Sequence, residues 1–287
     1  MTTGVVGPGA GVTSADRLYL DLLKRCLTRT LADEELAPLW PGRGWQKPAW
    51  RLLTSMLARW DVVPRRRISV RTSKREEGLD WPADAETMIG LRRLENLEHC
   101  VRQVVDEGVP GDLLEAGVWR GGASIFMRGV LAALGDHERL VWAADSFEGL
   151  PKPRDDQPAD EGDTHWTHGN LAVSLEEVQA NFARYSLLDD QVRFLKGWFA
   201  DTLPGAPIEH LALLRADGDM YSSTMDILNA LYPKVSAGGF VIIDDYGAIP
   251  ACKVAVDEYR ERHDIREPIE QIDWTGAFWQ REGSEVR

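Results

Sequence analysis

Residues 112–134 read DLLEAGVWRGGASIFMRGVLAAL, and this stretch decides the fold. DLLEAG predicts a buried strand, and GGASIFMRGVLAAL predicts the helix that follows it. The glycines between them allow a tight turn and a close approach of the backbone to a ligand. The turn is not a G-x-G-x-x-G pattern, and Glu115 before it would repel a pyrophosphate. This carboxylate suits an amino group, such as that of S-adenosylmethionine, directly or through water.

Strand and helix patterns alternate after this stretch. The predicted strands are LVWAAD, QVRFLKG, LALLRAD and GFVIIDD, and IDWTGAFWQR predicts a terminal strand pair or edge. The predicted helices are SLEEVQANFARY, opened by a capping box of Ser174 and Glu177, TMDILNALYPKV, ended by Pro233 and Gly238-Gly239, and KVAVDEYRERH. A long polar insertion covers residues 151–170. The alternation predicts an α/β fold with a mostly parallel sheet flanked by helices.

The N-terminal part has a different pattern. Glycine-rich residues 1–14 predict a disordered tail, residues 15–108 a helical lid and substrate region, and residues 109–287 the catalytic domain. Ser14 is expected to cap a helix with the apolar stripe Leu18, Leu22, Cys26 and Leu27. A second helix is expected to begin near Asp84, with Met88, Leu91, Leu94, Leu97 and Val101 on one face. Between them, residues 37–82 are expected to be irregular; their tryptophans are Trp40, Trp45, Trp50, Trp60 and Trp81.

Composition excludes several classes of protein. The formal net charge of −13 disfavours non-specific binding to nucleic acid or to an anionic membrane surface. The short run Arg65-Arg66-Arg67 is expected to be a solvated face. Three scattered cysteines argue against a disulfide scaffold or a zinc knuckle. The first residues lack a signal-peptide pattern and no stretch is apolar enough to span a membrane, so a cytoplasmic location is expected.

Acidic residues follow the predicted strands. Asp145 ends the second strand, where a carboxylate accepts hydrogen bonds from ribose hydroxyl groups. Asp217, Asp244 and Asp245 end later strands, and their oxygen ligands suit Mg²⁺ rather than zinc. The alternative is a set of solvated strand-end carboxylates. Asp219 could act as a general base, cap the next helix or serve as a fourth ligand.

Weaker candidates surround these acids. Trp198 and Phe199 could cover an adenine whose edge Asp201 and Thr202 reach, with core packing as the alternative for the aromatic pair. Thr87, Met88 and Ile89 could meet the methionine part of a cofactor, or only start a helix. His165 and His168 favour a surface loop or substrate lid over metal binding. Arg215, within an apolar strand, could pair with a nearby carboxylate.

Five segments together resemble the macrocin O-methyltransferase family, whose members methylate sugar hydroxyl groups on antibiotics. They are LLEAGVWRGGASIFMRGVL, ADSFEGLP, RADGDMYSSTMDILNALYPKVSAGGFVIIDDYG, AVDEYR and IDWTGAFW. The similarity runs from about Leu18 to the C-terminus. It implies a Rossmann-like class I methyltransferase fold, S-adenosylmethionine as methyl donor and Mg²⁺ held by Asp217, Asp244 and Asp245, with Asp219 as general base.

The resemblance also implies a cofactor site. Its expected residues are Thr87, Met88, Glu115, Gly117, Trp119, Ser124, Asp145, Ser146, Gly197, Trp198, Phe199 and Asp217. The expected substrate is a small-molecule glycoside of the macrolide or aminocoumarin type, and the N-terminal tryptophans could pack on its aglycone, in the core or in a subunit interface. A homodimer is possible. The alternatives are a catechol or flavonoid O-methyltransferase, an NAD-dependent oxidoreductase and a non-catalytic binding protein.

Overall fold

A computed structural model describes residues 13–31, 34–39, 47–69, 72–80, 84–154 and 156–283. The strands are β1 (Glu34–Pro38), β2 (Arg65–Ser69), β3 (Asp112–Ala116), β4 (Val141–Asp145), β5 (Val192–Lys196), β6 (Leu211–Ala216), β7 (Val235–Ile243), β8 (Glu270–Gln271) and β9 (Ala277–Gln280). The helices are α1 (Ser14–Leu27), α2 (Lys47–Ala58), α3 (Thr72–Glu76), α4 (Leu91–Asp106), α5 (Gly122–Leu134), α6 (Leu175–Arg184), α7 (Phe199–Thr202), α8 (Tyr221–Leu231) and α9 (Pro250–Arg262). None of the helices in these ranges combines the length and the apolar character that a membrane span needs.

The main sheet has seven strands in the order β5-β4-β3-β6-β7-β9-β8. Strands β3 to β7 pair in parallel, and β9 pairs antiparallel with both β7 and β8. The predicted mostly parallel sheet is therefore confirmed. A terminal antiparallel strand pair is present too, but its first strand, β8, precedes the predicted stretch 272–281. Strand β9 lies inside the sheet, and β8 and β5 form its two edges.

Helices cover both faces of this sheet. Neighbouring residues in a strand point to opposite faces, so Leu113 and Leu114 of β3 enter different cores. The core around Leu113 includes residues of α1, α4, α5 and α6, and the core around Leu114 includes residues of α8 and α9. Burial on both faces explains why the parallel strands read as nearly continuous apolar runs.

Helix α1 differs from its prediction in its cap and its buried face. The N-cap is Thr13, not Ser14, because the Thr13 hydroxyl accepts a hydrogen bond from the Asp16 backbone N–H at 3.2 Å. The core contains Leu20, Leu23 and Leu27, whereas the predicted stripe residues Leu18 and Leu22 are 70% and 52% exposed. The helix has apolar residues on two faces, one with Leu18 and Leu22 and one with Leu20 and Leu23. The face with Leu23 is the buried one, because it packs against α5. Residues 1–12 of the predicted tail lie outside the described residues, and Thr13 and Ser14 belong to the start of α1.

The segment 37–82 was predicted to be irregular, and this is wrong for its described parts. It contains α2, α3 and β2, which pairs antiparallel with β1. The three arginines 65–67 lie on β2 and are exposed, as predicted. Trp40, Trp45 and Trp81 lie outside the described residues.

Helix α4 begins at Leu91 rather than near Asp84. Gly90 is its extended N-cap, and a Cβ there would lie 2.4 Å from the Gly78 backbone nitrogen. Gly90 therefore lies directly against the Gly78 backbone. The helix begins only after this contact, and residues 84–90 before it form an extended, non-helical segment. Helices α1 and α4 both contribute to the sheet core. Among the described residues between these helices, 34–39, 47–69 and 72–80 contribute none to either core, and their role as a lid stays a prediction.

Strand β7 begins earlier than predicted. Helix α8 ends at Leu231, and a short 3₁₀ turn, Tyr232–Lys234, contains Pro233. Gly238 and Gly239 then lie inside β7, where its register against β6 shifts, and do not terminate the helix. The insertion 151–170 forms short 3₁₀ turns that include Pro158–Asp160 and His165–Thr167.

Candidate active site

Three predicted carboxylates meet at the carboxyl ends of β6 and β7. Asp217, Asp244 and Asp245 each offer one oxygen, and these oxygens lie within 4.8 Å of one another. Strand β7 ends at Ile243, so Asp244 and Asp245 lie in the following turn and are free of the strand alternation that would separate them. Among the described residues, this is the one group of three or more acidic, histidine or cysteine side chains that could hold a metal ion.

Two buried arginines face these acids. Arg215 donates hydrogen bonds to Glu115 at 2.6 Å and to Asp217 at 3.0 Å, and it also binds Asp244. Arg93 on α4 binds the second oxygen of Asp244 and donates to Asp273 at 2.9 Å. The prediction that Arg215 pairs with a nearby carboxylate is confirmed. Arg93 and Asp273 were missed, although an arginine on the apolar face of α4 was a visible signal.

Carboxyl groups remain in excess at this site. Its six carboxyl groups and two guanidinium groups belong to Glu115, Asp217, Asp219, Asp244, Asp245 and Asp273, and to Arg93 and Arg215. Burial, and then Asp244, raises the pKa of Asp217 to about 6. Burial alone would raise the pKa of Asp244 as well, but Arg215 and Arg93 bring it below its usual value.

Asp245 is the least compensated of these acids. Burial, and then the charges of Asp219 and Asp217, raises its pKa well above the usual value. Its Oδ2 atom is buried and has no hydrogen-bond partner. A buried carboxylate oxygen without a donor is costly, so this atom calls for a cation or a proton.

Asp219 does not cap helix α8, so this alternative is wrong. The N-cap of α8 is Met220, and Asp160 from the insertion accepts hydrogen bonds from the backbone N–H groups of Tyr221 at 2.7 Å and Ser222 at 3.0 Å. Asp219 instead has a left-handed backbone, with φ of 55°. Its side chain lines the two cavities described below. Burial, and then Asp217, raises the pKa of Asp219 to about 7.

The turn after β3 needs glycine where it meets β6. Gly117 has φ of 93°, and a Cβ there would lie 1.9 Å from the Asp217 carbonyl oxygen. Gly122, which begins α5, donates its N–H to the Glu86 carbonyl at 2.9 Å, and a Cβ there would lie 2.5 Å from Thr87 Cβ. The extended segment 84–90 therefore packs against the start of α5, and this places Thr87 and Met88 beside the turn.

A cavity of about 340 Å³ lies beside Trp198, and we call it the Trp198 cavity. The predicted cofactor residues that line it are Met88, Gly117, Trp119, Asp145, Ser146, Trp198, Phe199 and Asp217. The Asp145 carboxylate accepts hydrogen bonds from the N–H groups of Val118 and Phe147, both at 2.7 Å, so it holds the glycine turn. Arg154 and Asp226 also line the cavity, form an ion pair at 2.6 Å and were missed by the sequence analysis.

A second cavity, of about 380 Å³, contains the acids and is called the acid cavity. The predicted residues that line it are Thr87, Met88, Glu115, Gly117, Trp119, Asp217, Asp219, Asp244 and Asp245. Both cavities share Met88, Gly117, Trp119, Asp217 and Asp219, so they adjoin. Two ligands bound side by side would meet at this shared wall.

Three predicted cofactor residues have other surroundings. Both oxygens of Glu115 have protein partners, Arg215 and Ser124, and burial raises the pKa of Glu115 to about 7. Ser124 is fully buried, lines neither cavity and donates a hydrogen bond to Glu115, and its contact with a cofactor stays a prediction. Gly197 also lines neither cavity; a Cβ there would lie 2.5 Å from Thr202 Cγ2, so it shapes the turn that carries Trp198.

The insertion covers both cavities. Three residues of the insertion are fixed to the site. Asp160 binds the start of α8 and Arg154 pairs with Asp226, as described above. The Asn170 carbonyl accepts a hydrogen bond from Trp119 Nε1 at 2.9 Å. His165 lines the acid cavity, and its Nδ1 lies 2.9 Å from Asp163 Oδ2. This hydrogen bond raises the pKa of His165. The role of the insertion as a substrate lid stays a prediction.

Comparisons with known proteins identify the family. The macrocin-O-methyltransferase (TylF) family model matches residues 16–281. A Streptomyces olivaceus protein, 8-demethyl-8-(2,3-dimethoxy-alpha-L-rhamnosyl)-tetracenomycin-C 4'-O-methyltransferase, is 59% identical over 212 residues, which cover 73% of this chain and 81% of that protein. Demethyldecarbamoylnovobiocin O-methyltransferase from Streptomyces niveus is 48% identical over 281 residues, 96% of this chain and 98% of that protein.

A solved structure shows the same fold. The structure of the O-methyltransferase NovP matches with a TM-score of 0.81 and 48% identity, and the match covers 93% of this chain and 100% of that chain. The family match and this likeness agree with the seven-stranded sheet flanked by helices. The chain therefore belongs to the macrocin O-methyltransferase family and is an O-methyltransferase with the class I methyltransferase fold.

Proposed function

We propose that the enzyme methylates a hydroxyl group of a deoxysugar on a glycosylated secondary metabolite, with S-adenosylmethionine as donor and Mg²⁺ as a required cation. The observation that carries this proposal is the convergence of Asp217, Asp244 and Asp245 within 4.8 Å in a cavity that adjoins a second one, lined by Trp198 and Phe199. The glycoside class rests on the relatives, whose names specify a rhamnosyl tetracenomycin and a novobiocin precursor.

The residues of the acid cavity fit Mg²⁺. Carboxylate oxygens are the ligands that this ion prefers, and the partnerless Asp245 Oδ2 supplies one that no protein donor satisfies. The excess of carboxyl groups over guanidinium groups leaves negative charge for a cation to neutralise. When bound, the ion supplies positive charge that makes an acceptor hydroxyl group a stronger acid.

The Trp198 cavity fits the methyl donor. Trp198 and Phe199 offer aromatic surface to an adenine, and Asp145 and Ser146 lie at the end of β4, where ribose binds in related sheets. Met88 lies between the cavities, next to the place where the methionine part would sit. Glu115 completes this end of the site either by facing the donor's amino group or by holding Arg215.

Asp219 is the proposed general base. It lies on the wall that the two cavities share, and it is free of the helix-capping role that Asp160 fills. Asp219 removes the hydroxyl proton while the acceptor oxygen attacks the methyl carbon; the C–O bond forms, the C–S bond breaks and the sulfur keeps the electron pair. Positioning the two ligands side by side supplies much of the rate increase, because the attack needs an in-line approach.

A substrate screen tests this proposal. The enzyme is incubated with S-adenosylmethionine, Mg²⁺ and either demethylated antibiotic glycosides or free catechols, and methylated products are detected by mass spectrometry. We expect methylation of a glycoside and loss of activity after chelation with EDTA, restored by Mg²⁺. Turnover of catechols alone would replace the sugar acceptor by an aromatic diol, and full activity after thorough chelation would exclude the cation.

A homodimer is also part of the proposal. Leu52, Met56 and Trp60, on α2 and just after it, are 66%, 59% and 80% exposed, which is unusual for a surface in contact with water. Contact between two copies through this region would cover them. Gel filtration showing a strict monomer would contradict this part of the proposal, and the cytoplasmic location stays a prediction.

A further inference from the structure

Trp274 lies in the turn between β8 and β9 and is unusually exposed. Its neighbours Asp273 and Thr275 are only 7% and 2% exposed, whereas Trp274 is 48% exposed. Exposing a large apolar ring on an otherwise buried turn costs hydrophobic free energy. This exposure leaves part of the Trp274 ring available for contact with a ligand.

The turn that carries Trp274 is fixed to the metal-site acids. Asp273 accepts hydrogen bonds from the N–H groups of Thr275 at 3.0 Å and Gly276 at 2.8 Å, and from Arg93 Nε at 2.9 Å. The Thr275 hydroxyl donates to the Asp244 carbonyl at 2.9 Å. Arg93 and Thr275 both contact Asp244, so the turn cannot move without moving this carboxylate.

The indole of Trp274 has its polar atom already satisfied. Its Nε1 donates a hydrogen bond to the Glu77 carbonyl at 2.8 Å, which anchors the ring to the end of α3. What remains for a ligand is the apolar face of the ring. Trp274 lines the acid cavity together with Ala248 and Ile249, and the same cavity contains the carboxylates. Its lining thus combines apolar and charged side chains.

We propose that Trp274 binds the acceptor by stacking on the apolar face of the sugar ring that carries the reacting hydroxyl group. This inference rests on the proposed function. A pyranose has one face rich in C–H groups and a rim of hydroxyl groups, which matches a cavity lined by both apolar and charged side chains. A deoxysugar matches better still, since it replaces a hydroxyl group by hydrogen and so enlarges its apolar surface. Aromatic rings bind such surfaces with little loss of conformational entropy.

The test compares Trp274→Ala and Trp274→Phe with the wild-type chain. The probes are demethyldecarbamoylnovobiocin and p-nitrophenyl α-L-rhamnopyranoside, each with S-adenosylmethionine and Mg²⁺. We expect the KM for the glycoside to rise about 10- to 100-fold in Trp274→Ala, as for the loss of one aromatic stacking partner, with kcat changed by less than about threefold. Trp274→Phe should recover most of the affinity.

Two controls separate binding from structure. The Kd of S-adenosylhomocysteine, measured by calorimetry, should be unchanged in both variants. Leu188→Ala removes another exposed apolar side chain, 44% exposed, outside the insertion and lining neither cavity, and should leave the KM within about twofold. If Trp274→Ala does not fold, Trp274→Leu and Trp274→Phe are compared, and equal KM values for the two would contradict an aromatic contact.

The outcomes distinguish this inference from the proposed function. An unchanged glycoside KM in Trp274→Ala would overturn the stacking role while wild-type turnover keeps the glycoside assignment. Loss of S-adenosylhomocysteine binding in the same variant would assign Trp274 to the structure of the site. If the wild type methylates neither probe nor any glycoside of the screen, the proposed function fails, and this inference fails with it.

Discussion

Replacing Arg215 by methionine tests whether the buried arginine network holds the site together. The Arg215 side chain is 3% exposed and binds Glu115, Asp217 and Asp244, two of which are almost as buried. Methionine keeps much of the apolar stem and removes the charge. The variant therefore leaves Glu115 with Ser124 as its remaining hydrogen-bond partner and Asp244 with Arg93.

The expected loss of stability is large. Removing one partner of a buried ion pair costs about 3–5 kcal/mol, because the remaining charge is left uncompensated in a region of low dielectric. For a domain of this size class, 1 kcal/mol shifts the melting temperature by about 2–4 °C, so we expect a decrease of roughly 6–20 °C. Arg266→Met is the matched control: Arg266 and its partner Asp264 are 82% and 77% exposed, and such a pair contributes about 0–1 kcal/mol.

The stability that Arg215→Met loses should also depend on pH, and it should increase as the pH rises. Burial raises the pKa of Glu115 to about 7, and Arg215 opposes this rise. Without Arg215 the folded-state pKa moves higher, while the unfolded-state value stays near 4.3. The folded variant then binds more protons than the unfolded chain between these values, so its stability rises as the pH falls. The difference between Arg215→Met and the wild type should therefore be larger at pH 8 than at pH 5.

Thermal unfolding followed by circular dichroism at pH 5 and pH 8 measures both effects. A melting temperature for Arg215→Met within the range of Arg266→Met would contradict the importance of the buried network. A loss that is equal at the two pH values would contradict the assignment of uncompensated charge to the carboxyl groups.

Two further substitutions test the catalytic and backbone assignments. Asp219→Asn should lower kcat about 10²- to 10⁴-fold, because asparagine cannot accept the hydroxyl proton. The calorimetric Kd of S-adenosylhomocysteine should stay within about twofold, because asparagine tolerates the left-handed backbone that Asp219 has. Unchanged turnover would remove Asp219 as the base. Gly117→Ala should destabilise the protein and weaken cofactor binding far more than Gly108→Ala. The reason is that a Cβ at Gly117 would lie 1.9 Å from the Asp217 carbonyl oxygen, whereas a Cβ at Gly108 would meet nothing within 4 Å. Equal melting temperatures for the two variants would show that this close approach is absent.

The main sheet could be predicted from sequence because parallel strands are buried on both faces. Every residue of β6 is buried, for example, and the run LALLRA is accordingly apolar except for its arginine. The buried face of α1 could not be predicted, because both possible faces are apolar and only packing against α5 decides between them. The start of α4 was missed for a similar reason, since the contact of Gly90 with Gly78 depends on tertiary structure.

Asp217, Asp219, Asp244 and Asp245 were visible because they end or follow predicted strands, and strand ends meet at one edge of the sheet. Their counter-charges were harder to find. Arg93 lies 151 residues before Asp244 and 180 before Asp273, and no local pattern connects such positions. The sequence places Ser124 next to the glycine turn, but it does not reveal that this side chain is fully buried and donates a hydrogen bond to Glu115.

The cation at the carboxylates is tested most directly by anomalous diffraction. Crystals grown with S-adenosylhomocysteine and Mn²⁺, which accepts the same oxygen ligands as Mg²⁺, are measured for an anomalous difference map. We expect one strong peak bonded to oxygens of Asp217, Asp244 and Asp245, next to S-adenosylhomocysteine in the Trp198 cavity. S-adenosylhomocysteine bound in that cavity, with no anomalous peak at the three carboxylates, would contradict the proposed mechanism.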